Sequence, residues 1–140
     1  MESELFSIDS LEDLEQLSEQ VTWQYFEKLV AFIFEKNDFD VQQNVVLTKD
    51  KERRQFDVIA KNKNKTFLVE CKRWKSRAGA ASALRDAVEM HIERGRFYAD
   101  QYPEESIVPL LVMPLNGMPE EHNEVFIVPL TSLNWFLNNQ

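Results

Sequence analysis

The chain has 140 residues, 44% hydrophobic and 11% aromatic, with 16 Lys/Arg against 24 Asp/Glu and a net charge of −8. That length suits one domain, 1–140, able to bury roughly 68–70% of its unfolded surface without disulfides or a structural metal, and the composition excludes a disordered chain. No apolar run approaches the roughly 18 residues of a membrane span, and the lone Cys71 and the acidic start MESELFSIDS point to a reducing, cytoplasmic setting without a secretory signal or membrane association.

Residues 1–19 are expected to form a helical extension. Within it, DSLEDLEQL at 9–17 places Leu11, Leu14 and Leu17 at helical spacing behind a Ser10/Asp13 capping pattern. Residues 20–36 give the strongest helix. Trp23, Phe26, Val30, Ile33 and Phe34 make one apolar face, and Glu27 sits on its edge between Trp23 and Val30. A glutamate there is ordinarily a boundary residue reaching water, but its neighbours also make it a candidate to point into a site. Asn37-Asp38 suits a left-handed helix end.

Three strands follow: 40–50, 53–61 and 66–74, joined by the charged turn 49–54 and the polar turn Asn62–Lys65 into an antiparallel meander. Residues 75–82 are expected as a small-residue loop and 83–101 as a helix weakened by Gly95. The apolar run 106–115 reads as a strand covered on both faces, parallel to its predecessor because a helical crossover precedes it. A loop at 116–124, the segment least expected to be ordered, a strand at 125–130 and a final helix capped by Thr131 complete the chain.

The charge is unevenly spread. Residues 49–77 hold eleven Lys/Arg and four acids, for +7, and the remainder is −15. A net acidic protein is a poor general ligand for nucleic acid, but a basic hairpin inside one is a local phosphate-facing surface or, more blandly, a solvated lysine-rich turn. Arg53, Arg54, Gln55, Lys75 and Arg77 flank the two strands and are candidates for DNA contacts.

Inside that hairpin sit two carboxylates and a lysine. If Asn62–Lys65 closes symmetrically, partners across the turn have numbers summing to 127. Asp57 then faces Glu70 and Gln55 faces Lys72, with paired Cβ atoms about 4.5–5.5 Å apart. Alternation puts Glu70 and Lys72 on one face and Cys71, as a small buried hydrophobe, on the other. Two close carboxylates repel unless a proton or cation intervenes. Such a pair suits a hydrated Mg²⁺ site, with the lysine beside the metal-bound water; it equally suits an ion-pair lattice across the hairpin. His91 and His122 have no second ligand at usable spacing, so zinc is not expected.

The helix carrying Glu27, then QFDVIA, then FLVECKRW resembles the PD-(D/E)XK nuclease superfamily, in particular Mrr-like restriction endonucleases and archaeal Holliday junction resolvases. The resemblance spans about residues 23–130 and takes in the closing IVPLTSLNWFL. It implies an α/β, restriction-endonuclease-like αβββαβ core, a central mixed sheet flanked by helices. It also implies a metal-dependent DNA endonuclease of restriction or repair type using Mg²⁺, with Mn²⁺ as substitute. Asp57 matches the metal-binding Asp, Glu70 the second carboxylate, Lys72 the catalytic lysine and Glu27 the auxiliary glutamate. Gln55-Phe56 stand where the motif carries its proline, and the later helix lacks a clear glutamine-x-x-x-tyrosine signature. Folds of this kind often act as homodimers. The alternative is a catalytically silent nuclease fold that binds DNA or protein within a larger complex.

Overall fold

The computed structural model describes residues 23–74 and 76–140, so the helix expected at 9–17 and Lys75 lie outside the described residues. Local chemistry sets the turns. Helix α1 (Trp23–Lys36) ends where Asp38 takes φ 65°. Strands β1 (Asp40–Lys49) and β2 (Glu52–Lys61) are joined by Asp50 and Lys51, both at positive φ (50° and 71°), as a two-residue hairpin of right-handed twist requires. Between β2 and β3 (Thr66–Cys71), Asn62 Oδ1 accepts from the backbone N–H groups of Asn64 and Lys65 and closes the turn.

The chain continues through α2 (Arg77–Gln101), β4 (Ile107–Met113), β5 (Glu121–His122), β6 (Val125–Pro129) and α3 (Leu130–Asn138). The strands form one sheet in the order β1-β2-β3-β4-β6-β5. The meander β1-β2-β3 is antiparallel, β3-β4 and β4-β6 are parallel, and β5 runs back along β6. This is the mixed sheet flanked by helices that the sequence led us to expect.

Helices α1 and α3 cover one face of the sheet, where Phe26, Val30 and Phe34 meet Val58, Ala60, Phe67, Val69, Leu110 and Val112. Helix α2 covers the other, with Leu84 and Val88 against Leu111 and Met113, and Tyr98 against Phe56, Ile59 and Leu68. Consecutive residues of β3 and β4 therefore enter opposite cores, which is why both strands read as unbroken apolar runs.

Four local expectations change. Strand β3 stops at Cys71, not Trp74. Helix α2 starts at Arg77, because Ser76 takes an extended conformation and its side chain accepts from the Gly79 N–H; the small residues expected as loop are its first turn. The loop 116–124 contains β5, with Asn123 and Glu124 at φ 50° and 70° forming its hairpin to β6. Finally, Pro129 precedes α3, and Thr131 lies inside that helix with its hydroxyl bonded to Asn116 Oδ1 at 3.1 Å. Gly95 leaves α2 uninterrupted, and no described helix is long and apolar enough to cross a membrane.

Candidate active site

The site begins where the sheet parts. Strands β2 and β3 pair as Lys61↔Thr66, Ala60↔Phe67, Ile59↔Leu68 and Val58↔Val69, the register expected from the turn, and the ladder ends there. One step further, Asp57 Oδ2 accepts the backbone N–H of Cys71 at 2.8 Å. The side chain thus takes up a donor left over at the end of the ladder. The expected pairings of Asp57 with Glu70 and of Gln55 with Lys72 are not part of the ladder: Asp57 takes the Cys71 N–H, Gln55 pairs only with Val46 of β1, and the Lys72 N–H donates to Val112 O at 2.8 Å.

On its other edge β2 pairs with β1 in one register, but the step at Asn44 and Asp57 is skipped, and Asn44 has φ 52°. Strict alternation would put Phe56 and Val58 on the same face. Instead Phe56 packs on the α2 side and Val58 on the α1 side. The alternation is reset at Asp57, which therefore stands at the boundary between the two faces. Its carboxyl lies near those of Glu27 from α1 and Glu70 from β3, and it acts on the charge of both.

Glu70 occupies the α2 side of β3 with a side chain only 12% exposed, while Cys71 enters the opposite core. Its Oε2 lies 2.6 Å from Arg94 Nη1 and 3.9 Å from Lys72 Nζ. The Arg94 contact is a close charge pair without a well-aligned N–H···O bond. Burial, then the Asp57 carboxyl beside it, pushes Glu70 up to about 8 against the pull of Arg94 and Lys72. Glu27 is raised too, first by burial and then by Asp57, with Arg73 opposing. Burial also drives the Cys71 thiol upward, consistent with a packing residue.

Two cations at this site were not singled out from the sequence. Arg94 comes from α2, one turn after His91. His91 is 1% exposed, its Nε2 donates to Leu68 O at 2.8 Å, and burial lowers it to about 4, so it stays neutral. The spacing from His91 was the one available signal, and it is faint on a helix with many charged residues. Arg73 lies beside the acids on the α1 side, its guanidinium 4.7 Å from the Trp23 ring centre.

The flanking residues fall elsewhere. Arg54 is bidentate on Glu93, with Nε at 2.9 and 2.8 Å from the two oxygens, and stacks over Phe97 at 4.8 Å. The Arg77 Nε donates to Asn116 O at 3.0 Å. Arg53 and Gln55 are exposed on β2. Trp74 packs against the α2 core.

Among the described residues, no three His, Cys, Asp or Glu side chains are grouped so as to hold a metal. Two carboxylates suffice for a hydrated Mg²⁺, which keeps several of its waters. Asp57 and Glu70 fit that demand: neighbouring carboxyls that repel need a proton or a cation between them. Glu27, Asp57 and Glu70 face Lys72, Arg73 and Arg94, and a divalent ion would take the place of the proton that Glu70 keeps.

Comparison with known proteins agrees with this architecture. A restriction endonuclease family, that of the Mrr catalytic domain, matches residues 18–98. No curated protein matches the sequence. Among solved structures, the small subunit of the heterodimeric restriction endonuclease R.BspD6I is 14% identical over 99% of this chain and 77% of that one, with a TM-score of 0.58. A protein from Vibrio cholerae is 18% identical over 84% of this chain, with a TM-score of 0.50. A protein of unknown function is 16% identical over 75% of this chain, with a TM-score of 0.49. The chain spans 56% of the last and 32% of the Vibrio cholerae protein. At such identities the likeness to the first two establishes the fold alone.

Proposed function

We propose that this chain, which belongs to the restriction endonuclease family of the Mrr catalytic-domain type, hydrolyses DNA phosphodiester bonds with a divalent metal, Mg²⁺ or Mn²⁺. The observation that carries this reading is the meeting of Glu27, Asp57 and Glu70 at the parting of β2 and β3, with Lys72 and Arg94 on Glu70. Asp57 and Glu70 would hold the ion and Glu27 would support it, directly or through water. Once bound, a divalent ion supplies Lewis-acid polarisation of a phosphoryl oxygen and a more acidic water.

The residues do the rest. Lys72 orients the attacking water and offsets charge that grows on the phosphoryl group. Asp57 is fixed by the Cys71 N–H, so its free oxygen has a set direction. Arg94 holds Glu70 from the α2 side and limits its rotation. The exposed Arg53 and Gln55 are available to the DNA backbone; Arg54 and Arg77, already engaged, would contact it only by exchanging partners.

The test is cleavage of plasmid, single-stranded and branched DNA with Mg²⁺ or Mn²⁺. Asp57→Asn and Lys72→Ala should each lose on the order of 10²-fold or more in rate. Variants that cut as fast as wild type would sink the assignment. A second reading has one observation behind it: a structural neighbour is the small subunit of a heterodimeric enzyme. In that reading the chain contributes one site to an assembly, or only binds DNA or protein. Cleavage that appears only with an added subunit, or salt-sensitive DNA binding with no cleavage, would favour it. Cutting both strands calls for two sites, which a homodimer would also supply.

A further inference from the structure

Arg73 follows Lys72 immediately, yet the two cations lie on opposite sides of the acids. Lys72 approaches Glu70 on the α2 side, 3.9 Å from Oε2. Arg73 turns toward α1, where its guanidinium carbon is 4.7 Å from the Trp23 ring centre and its charge acts on Glu27. Trp23 is itself stacked on Phe26, with centroids 4.9 Å apart and planes inclined by 10°. Phe26 is 2% exposed and belongs to the main core. The guanidinium thus lies over a stacked ring pair rooted in the core.

This arrangement is unlike that of the other arginines near the hairpin. Arg54 spends its N–H groups on Glu93 and Arg77 uses its Nε on Asn116. Arg73 is exposed, and among the described residues it has its ring contact and the field of Glu27 but no hydrogen bond. Stacking engages the flat face of a guanidinium and leaves its edges, with their N–H donors, turned outward. A planar fork held this way loses less freedom on binding than an unrestrained one, and its geometry matches two phosphate oxygens.

We propose that Arg73, held on Trp23, binds a DNA backbone phosphate beside the Asp57–Glu70 site. The proposal rests on the chain acting on DNA. Lys72 and Arg73 then straddle the acids, and a strand crossing from the α1 side to the α2 side meets a cation on each side. The contact is to the backbone, so it positions the strand without reading sequence.

The experiment measures binding of a duplex oligonucleotide by fluorescence anisotropy in EDTA across roughly 50–200 mM salt, for wild type, Arg73→Ala, Arg73→Lys and Trp23→Leu. Loss of one phosphate contact should make the slope of log K against log salt shallower by about 0.9 in Arg73→Ala. Arg73→Lys restores the slope but not the full affinity, because an ammonium lacks the fork. Trp23→Leu keeps the slope near that of wild type and binds more weakly. Arg73 is exposed, so circular dichroism and urea midpoints of its two variants should match wild type. An Arg73→Ala slope equal to wild type, or no binding by wild type at any salt, overturns the proposal. Cleavage is scored separately. A shallower slope with no cleavage by wild type supports the phosphate contact and removes the nuclease reading, whereas cleavage with an unchanged slope does the reverse.

Discussion

Replacing Glu70 with glutamine sets two opposing forces against each other. Arg94, 2.6 Å away, favours the ionised carboxylate, whereas burial and the neighbouring Asp57 favour the protonated acid. The balance lies with the proton, since Glu70 is pushed from an ordinary 4.5 to about 8. The folded protein keeps this proton up to about pH 8, and the unfolded chain releases it near 4.5. The folded state therefore binds the extra proton between those values, and stability falls as pH rises through that window. At about 1.4 kcal/mol per pH unit the loss has a ceiling of roughly 5 kcal/mol. Relaxation and water entry around the ionised carboxylate lower this ceiling, so the substitution recovers only part of it, on the order of 2–3 kcal/mol. Glutamine mimics the protonated acid. In urea denaturation with EDTA, Glu70→Gln should match wild type within about 1 kcal/mol at pH 5 and exceed it by about 2–3 kcal/mol at pH 9. A variant less stable than wild type by more than about 2 kcal/mol at both pH values would refute the reasoning. That result would mean Glu70 is ionised in the fold and the Arg94 pair holds it, the usual cost of breaking a buried ion pair.

The same proton gives a metal-binding signature: below about pH 8, Mg²⁺ or Mn²⁺ should displace it, with affinity rising by up to about tenfold per pH unit. Calorimetry in buffers of different ionisation enthalpy reads this, and a heat independent of buffer would contradict it. In the core, Phe67 is 0% exposed and packs with Phe34, Phe39 and Phe136, so Phe67→Ala should cost about 3–5 kcal/mol in urea unfolding. At the start of α2, Ser76→Ala removes the side-chain acceptor for the Gly79 N–H and should cost about 1 kcal/mol; an unchanged midpoint would mean that the first turn adds little to the fold.

Much of the hairpin is legible from sequence because its geometry is local. Asn62–Lys65 closes β2 onto β3 within four residues, so one register follows as far as Val58↔Val69, and Asp57 and Glu70 stand at the next step, where the ladder has ended. Strand β4 is legible for a similar reason, since a strand buried on both faces has no polar alternation to preserve. The start of α2 was misread because Ala78, Gly79, Ala80, Ala81 and Ser82 are small, and smallness alone does not distinguish a loop from a helix. The cap at Ser76 decides it.

What one dimension determined, then, is the order of elements, the register across the second hairpin and the acids that register brings together. Three-dimensional packing decided the rest. Asn44 and Asp57 interrupt the β1–β2 ladder, and the reset alternation carries Asp57 to the boundary between the two faces, where Glu27 meets it. Arg94 reaches Glu70 because α2 crosses back over β3 at one particular rotation, and Arg73 reaches Trp23 because β3 ends before it. No periodicity encodes those contacts. Each joins side chains distant in sequence, and its geometry is fixed by how helices settle on a sheet whose two faces bury different cores.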